Sequence, residues 1–205
     1  MIVYVESNFI LEIAFRQEQA ASCRSLVAVC AAGGASLVVP AFSIAEPFHT
    51  YVARAKERSR VGEGLRMQLG QLARSETFGD EAEALQRVTG LLVRSAEEER
   101  SGLQRAMQEI LGVAELIPLD GRIIAEANDL ERTLKLSPQD AIVLASVLSH
   151  LNATRPEKSC FMNRNTKDFD DPDVIARLTA FACKLLPRFD DGLGYVQSSG
   201  HAGDS

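Results

Sequence analysis

The sequence predicts an α/β fold built on a central parallel sheet. Short apolar runs recur along the chain (IVYV, SLVV, AELIP, SCFM and KLL) and read as strands, being too short for helices. Between most of them the apolar residues fall at helical spacing, so the connections are crossovers that return the next strand parallel to the last. From Phe42 to Gly112 helical spacing persists without a strand candidate, which places a pair of long helices inside an otherwise alternating chain.

Ile2 to Val5 is the first strand, and a helix starts at Asn8. A second helix runs through EQAASCRSLVAVCAA, with Ala20, Cys23, Val27 and Cys30 on one stripe and Gly33-Gly34 ending it. Ser36 to Val39 is strand two, stopped by Pro40. In the long helical region Ile44, Phe48, Tyr51 and Ala55 mark one stripe, continued by Val61, Leu65, Leu69 and Leu72. After Phe78-Gly79 a second stripe follows through Leu85, Val88, Leu92, Ala96, Leu103, Met107 and Ile110, so the region is a helical hairpin, with Glu97 to Arg100 on its solvated face. Ala114 to Pro118 is a short third strand, and Ile123, Ala127, Leu130 and Leu134 line a helix entered from Asp120. Ser137-Pro138-Gln139-Asp140 opens a helix whose continuation AIVLASVLSHL is apolar nearly all round and therefore buried. Strand four is Ser159 to Met162, a helix covers Asp173 to Ala182, and Lys184 to Leu186 is the last strand. The tail, rich in Gly, Ser and Asp, is expected to be disordered. The expected organisation is one domain over 1–188, with 54–113 as the inserted hairpin and 189–205 as the tail.

The 205 residues are 46% hydrophobic and 24% charged, enough to bury a core. No apolar stretch reaches the roughly 18 uncharged residues of a membrane span, and the N-terminus lacks a basic region followed by a long apolar core. Cys23, Cys30, Cys160 and Cys183 form no C-x-x-C pair, so buried free thiols and a reducing cytoplasm are expected. The net charge of −6 argues against broad attraction to nucleic acid, but leaves room for a local basic groove or for acids offset by bound cations.

Four acids fall at comparable places: Glu6 at the end of strand one, Glu46 in the helix after strand two, Asp140 at the start of the buried helix, and Asp168 in the loop after strand four. The carboxyl ends of parallel strands form the crevice where ligands bind. Glu6, Glu46 and Asp168 belong there, and Asp140 joins them if its helix starts on the same rim. Crowded carboxylates require a counter-charge, which Mg²⁺ or Mn²⁺ supplies, and such ions activate water for phosphodiester hydrolysis. Each acid also has a plainer reading. Ser137 to Asp140 and Ser43 to Glu46 have capping-box spacing, Asp168 has Asp170, Asp171 and Asp173 close by, and Glu6 ends a strand. Their joint placement favours the cluster.

The stretches VESNFI, VVPAFSIAEPF, SPQDAIVLASV and FMNRNTKDF resemble the motifs of the PIN-domain family, over about 1–50 and 114–188. The resemblance implies a three-layer α/β/α fold and a Mg²⁺- or Mn²⁺-dependent ribonuclease of the VapC type, a toxin held inactive by a cognate antitoxin and often a homodimer. By position, Glu6, Glu46, Asp140 and Asp168 are then the metal-binding, catalytic acids. Asn8, Asn163 and Asn165 orient them. Two residues depart from the pattern: Glu6 stands where Asp is usual, and Asn163 where Thr or Ser is common. In some relatives the last acid falls where this chain has Asn165, which leaves Asp168, or else Asp170, to fill the role. One extra methylene moves the Glu6 carboxylate by about 1.5 Å, comparable with the looseness that spoils a designed site.

RNA contacts are assigned to Arg54, Lys56, Arg58 and Arg60 beyond Glu46, and to Arg164 and Lys167 beside Asp168. A solvated helix face balanced by Glu57 explains the first group equally well. His49, one turn after Glu46, is a further candidate for the crevice. The alternative expectation is a weak or inactive PIN-fold protein that binds protein or RNA, motivated by Glu6 and the hairpin. An unrelated domain for a phosphorylated ligand lacks a Gly-rich phosphate loop.

Overall fold

The computed structural model describes residues 1–165 and 169–200. Five strands form one parallel sheet in the order β3-β2-β1-β4-β5. They are β1 (Ile2–Val5), β2 (Ser36–Pro40), β3 (Glu115–Ile117), β4 (Ser159–Met162) and β5 (Cys183–Leu186). The helices are α1 (Ser7–Ala14), α2 (Ala20–Ala31), α3 (Ala41–Leu72), α4 (Gly79–Leu111), α5 (Gly121–Leu134), α6 (Pro138–Thr154), α7 (Pro172–Thr179) and α8 (Phe189–Gly200).

The period of two along each strand divides the core between the two faces of the sheet. Val3, Val5, Leu37, Val39, Cys160 and Met162 join one cluster with residues of α1, α2 and α8 and the root of α4, where Leu103, Ala106, Met107 and Ile110 are buried. Tyr4, Val38 and Phe161 point the other way, into a cluster with α5, α6 and α7. The result is three layers with β1 at the centre, Val3, Tyr4 and Val5 each fully buried. All four cysteines are free and buried, as expected.

The long helices α3 and α4 pack along each other, and the close approach of α4 to α1 depends on Gly102. A methyl group there would run into the Ala14 carbonyl oxygen. Gly102→Ala is therefore expected to destabilise the protein by about 1–3 kcal/mol, the usual effect of overpacking, although alanine is the better helix former. Urea denaturation of the variant checks this; unchanged or increased stability would refute it.

Two expectations are corrected. Residues 189–200, assigned to a disordered tail, form α8, while 201–205 lie outside the described residues. Phe189, Leu193 and Val196 repeat at i, i+4 and i+7, and Phe189 and Val196 are buried, so an apolar stripe outweighs the glycines. Phe189 also meets the Phe9 ring edge-on at 5.3 Å. The start of α3 differs as well. β2 runs through Pro40 directly into the helix, so Pro40 is the residue before its first turn and Ser43 caps nothing. Pro47 thus lies inside the helix, where it has no N–H to give the Ser43 carbonyl.

Candidate metal centre

Parallel strands bring β1 and β4 to the same rim, with Val5 paired to Met162, so Glu6 and Asn163 leave the sheet side by side. Glu6 is the N-cap of α1. Its Oε2 accepts from Ser7 Oγ at 2.7 Å and from the Asn8 backbone N–H at 3.0 Å, which satisfies part of the helix start. Its Oε1 is buried without a hydrogen-bond partner among the described residues. Only 5% of the residue is exposed. Burial pushes the Glu6 carboxyl up to about 7, the hydrogen bonds from Ser7 and Asn8 oppose this, and the Glu46 carboxylate adds a further push upward. Glu46 is therefore near enough to act on the Glu6 carboxyl.

The second half of the rim is a chain of polar contacts. Asp140 lies in the first turn of α6, with its backbone N–H bonded to Ser137 Oγ at 3.1 Å and its Oδ2 accepting from the same hydroxyl at 2.6 Å. That much is the helix-start role. Asp140 Oδ2 also accepts from Asn165 Nδ2 at 3.2 Å, a contact a cap does not need, and it places the start of α6 beside the loop after β4. Asn163, buried, accepts the Asn165 backbone N–H at 2.7 Å. Asn8 and the two asparagines are thus hydrogen-bonded to or beside the acids they were expected to orient.

Asp168 and Lys167 lie outside the described residues. Asp170, the less favoured alternative to Asp168, is exposed beside a cavity of about 310 Å³ that Asn163 also lines. Among the described residues no group of three or more His, Cys, Asp or Glu side chains is placed to hold a metal ion. The donors present are nevertheless those a hard divalent cation takes: oxygen only, with one buried carboxylate oxygen unpartnered among the described residues and the Glu46 carboxylate acting on the same group.

Most of the expected RNA-binding cations are engaged within the chain. Arg54 lies over the Phe15 ring at 4.9 Å, Arg58 pairs with Glu99 at 2.6 Å, and Arg60 pairs with Glu57 at 2.6 Å. Arg164 pairs with buried Glu12. Lys56 and His49 are exposed. In the hairpin group Arg60 pairs with Glu57, whereas Arg54 and Arg58 are held by Phe15 and Glu99. Sequence reasoning missed Glu12 altogether; its signal was a lone acid inside the apolar run FILEIAF, on a helix buried on most sides.

A PIN-domain family model matches residues 3–169. The chain belongs to the PIN-domain family. The match spans the hairpin as well as the motifs at either end, and the strand order and three layers agree with it. No curated protein and no solved structure matches the chain. Membership implies nuclease chemistry in general, which typically uses divalent metal ions, and no helix among the described residues is long and apolar enough to cross a membrane.

Proposed function

We propose that this PIN domain is a metal-dependent ribonuclease that hydrolyses RNA phosphodiester bonds, and the toxin of a toxin–antitoxin pair. The observation that carries the reading is the Glu6 carboxylate, buried at the end of β1 with one oxygen unpartnered among the described residues and Glu46 raising its proton affinity. Glu6, Glu46, Asp140 and Asp168 hold Mg²⁺ or Mn²⁺, which when bound activates a water and stabilises the oxygens of an in-line displacement. Asn8 restrains Glu6 through its backbone N–H, and Asn163 holds Asn165 against Asp140. Lys56 and Lys167 supply phosphate contacts, with Arg54, Arg58 and Arg164 contributing only where RNA displaces their present partners. The four free cysteines suit a reducing cytoplasm.

The test is cleavage of labelled RNA by the purified protein with Mg²⁺, with Mn²⁺ and with chelator, beside thermal unfolding in the same buffers. Metal-dependent cleavage is expected, with a stabilisation of about 2.7 kcal/mol at metal one hundredfold above its dissociation constant. No cleavage together with no thermal shift in either metal defeats the proposal.

A non-catalytic binding role draws on the hairpin, where Val61, Met67, Leu85, Val88 and Leu91 are exposed. We assign that surface to an antitoxin or to a second copy of the chain. Cleavage by the wild type that Glu6→Ala abolishes would reject the non-catalytic reading.

A further inference from the structure

The loop that reaches Asp140 is held from behind. Arg164 stands between Asn163 and Asn165, and its guanidinium donates to Glu12 on α1. Glu12 is 1% exposed, so its charge needs a built environment. Besides Arg164 it accepts the Gln19 backbone N–H at 2.9 Å. Gln19 is buried too, and its Oε1 accepts the backbone N–H groups of Phe189 at 2.7 Å and Asp190 at 3.2 Å, the first residues of α8. A continuous set of polar contacts therefore joins the start of α8, the turn after α1, Glu12, Arg164 and the tripeptide Asn163-Arg164-Asn165. It ends at Asp140 through Asn165 Nδ2.

We infer that Glu12 is a positioning residue for the metal centre: through Arg164 it fixes the loop after β4, so that Asn165 meets the Asp140 carboxylate. The inference rests on the reading of Asp140 as an acid of that centre. Among the described residues Arg164 is the cation paired with Glu12, and a shift of Arg164 removes that compensation from a buried carboxylate. The Arg164 side chain, 35% exposed, is tied to α1, so its neighbours on either side have little freedom. The side chain that the sequence offers as an RNA contact is, on this view, a tether. Glu12 does not touch substrate or metal; it acts on Asn165, which touches Asp140.

The variants Glu12→Gln, Arg164→Met, Arg164→Lys and the double variant Glu12→Gln/Arg164→Met separate this from a merely stabilising pair. Glu12→Gln keeps the shape and the Gln19 contact, and releases Arg164 to solvent. It is expected to fold, to lower kcat for RNA cleavage by about 10- to 100-fold with KM for RNA unchanged, to raise the Mg²⁺ concentration for half-maximal rate, and to speed hydrogen exchange at the Asn165 backbone amide. Arg164→Met strands a buried charge and should lower the melting temperature further. The double variant should regain that stability without regaining kcat or Asn165 protection, and Arg164→Lys should recover part of both. The inference is overturned if Glu12→Gln retains wild-type exchange at Asn165 and wild-type Mg²⁺ dependence, if the double variant restores kcat along with stability, or if Arg164→Met raises KM while Glu12→Gln is silent, the pattern of a direct RNA contact. A wild type without metal-dependent cleavage would defeat the nuclease reading alone, since amide exchange at Asn165 still reports whether Glu12 holds the loop.

Discussion

Replacing Asp140 by Asn is expected to lower metal-dependent RNA cleavage about a thousandfold while leaving the melting temperature almost unchanged. The activity loss follows from removing one charged ligand of a cation asked to supply several kcal/mol of transition-state stabilisation, at 1.36 kcal/mol per factor of ten. The small stability change follows from the local geometry. Asp140 accepts from Ser137 and Asn165, and an amide oxygen accepts the same two bonds. What the amide forgoes is the attraction of a negative charge to the start of α6, worth about 0.3–1 kcal/mol. If Asp140 were only a helix-start acid, the same small loss of stability would come with intact cleavage. Steady-state rates and thermal unfolding on one preparation distinguish the two.

A second large effect lies in the pH dependence of the metal-free protein. Glu6 is raised from 4.5 to about 7 in the folded state by burial, with Glu46 adding to it. Between those values the native state holds a proton that the unfolded chain has released, so stability falls as pH rises through this window. Below about 4.5 both states are protonated and the penalty vanishes; above about 7 it is complete, of order 3 kcal/mol from the size of the shift. Glu6→Gln removes the titration, so at pH 8 the metal-free variant is expected to exceed the wild type in unfolding free energy by up to about 3 kcal/mol, with little difference at pH 4. It should also lose the stabilisation that Mn²⁺ gives the wild type, because the charge that welcomes the cation is gone. Urea titrations of both proteins at pH 4, 6 and 8 test this. Parallel curves would show that Glu6 does not carry the buried charge.

Much of this was legible in the chain, for identifiable reasons. Strands such as Ile2–Val5 and Ser159–Met162 are buried on both faces, so they read as short continuous apolar runs. The long stripe from Leu85 to Ile110 carries α4 because helical spacing sustained over many turns has few competing explanations. The α8 segment was hidden by composition, its three glycines and two serines masking the Phe189, Leu193, Val196 stripe. The start of α3 was misplaced because capping-box spacing at Ser43 and Glu46 is local, whereas the helix is continued from β2 by the sheet. At the candidate metal centre, the residue types and their order were readable one motif at a time. The Asn165 bond to Asp140 and the burial of Glu12 were not, since each joins segments far apart in sequence and depends on how the layers dock.

The division of tasks between the two oxygens of Glu6 bears on the one acid that departs from the family pattern. A glutamate has one more rotatable bond than an aspartate, and a free one would lose that rotational freedom when it captured an ion. Here Oε2 is already anchored by Ser7 and the Asn8 N–H, while Oε1 has no partner among the described residues. Immobilising such a side chain costs about 1.5–2 kcal/mol of rotamer entropy, and in this arrangement the loss falls on folding instead of on ion capture. A longer arm held at its far end is as preorganised as a shorter one.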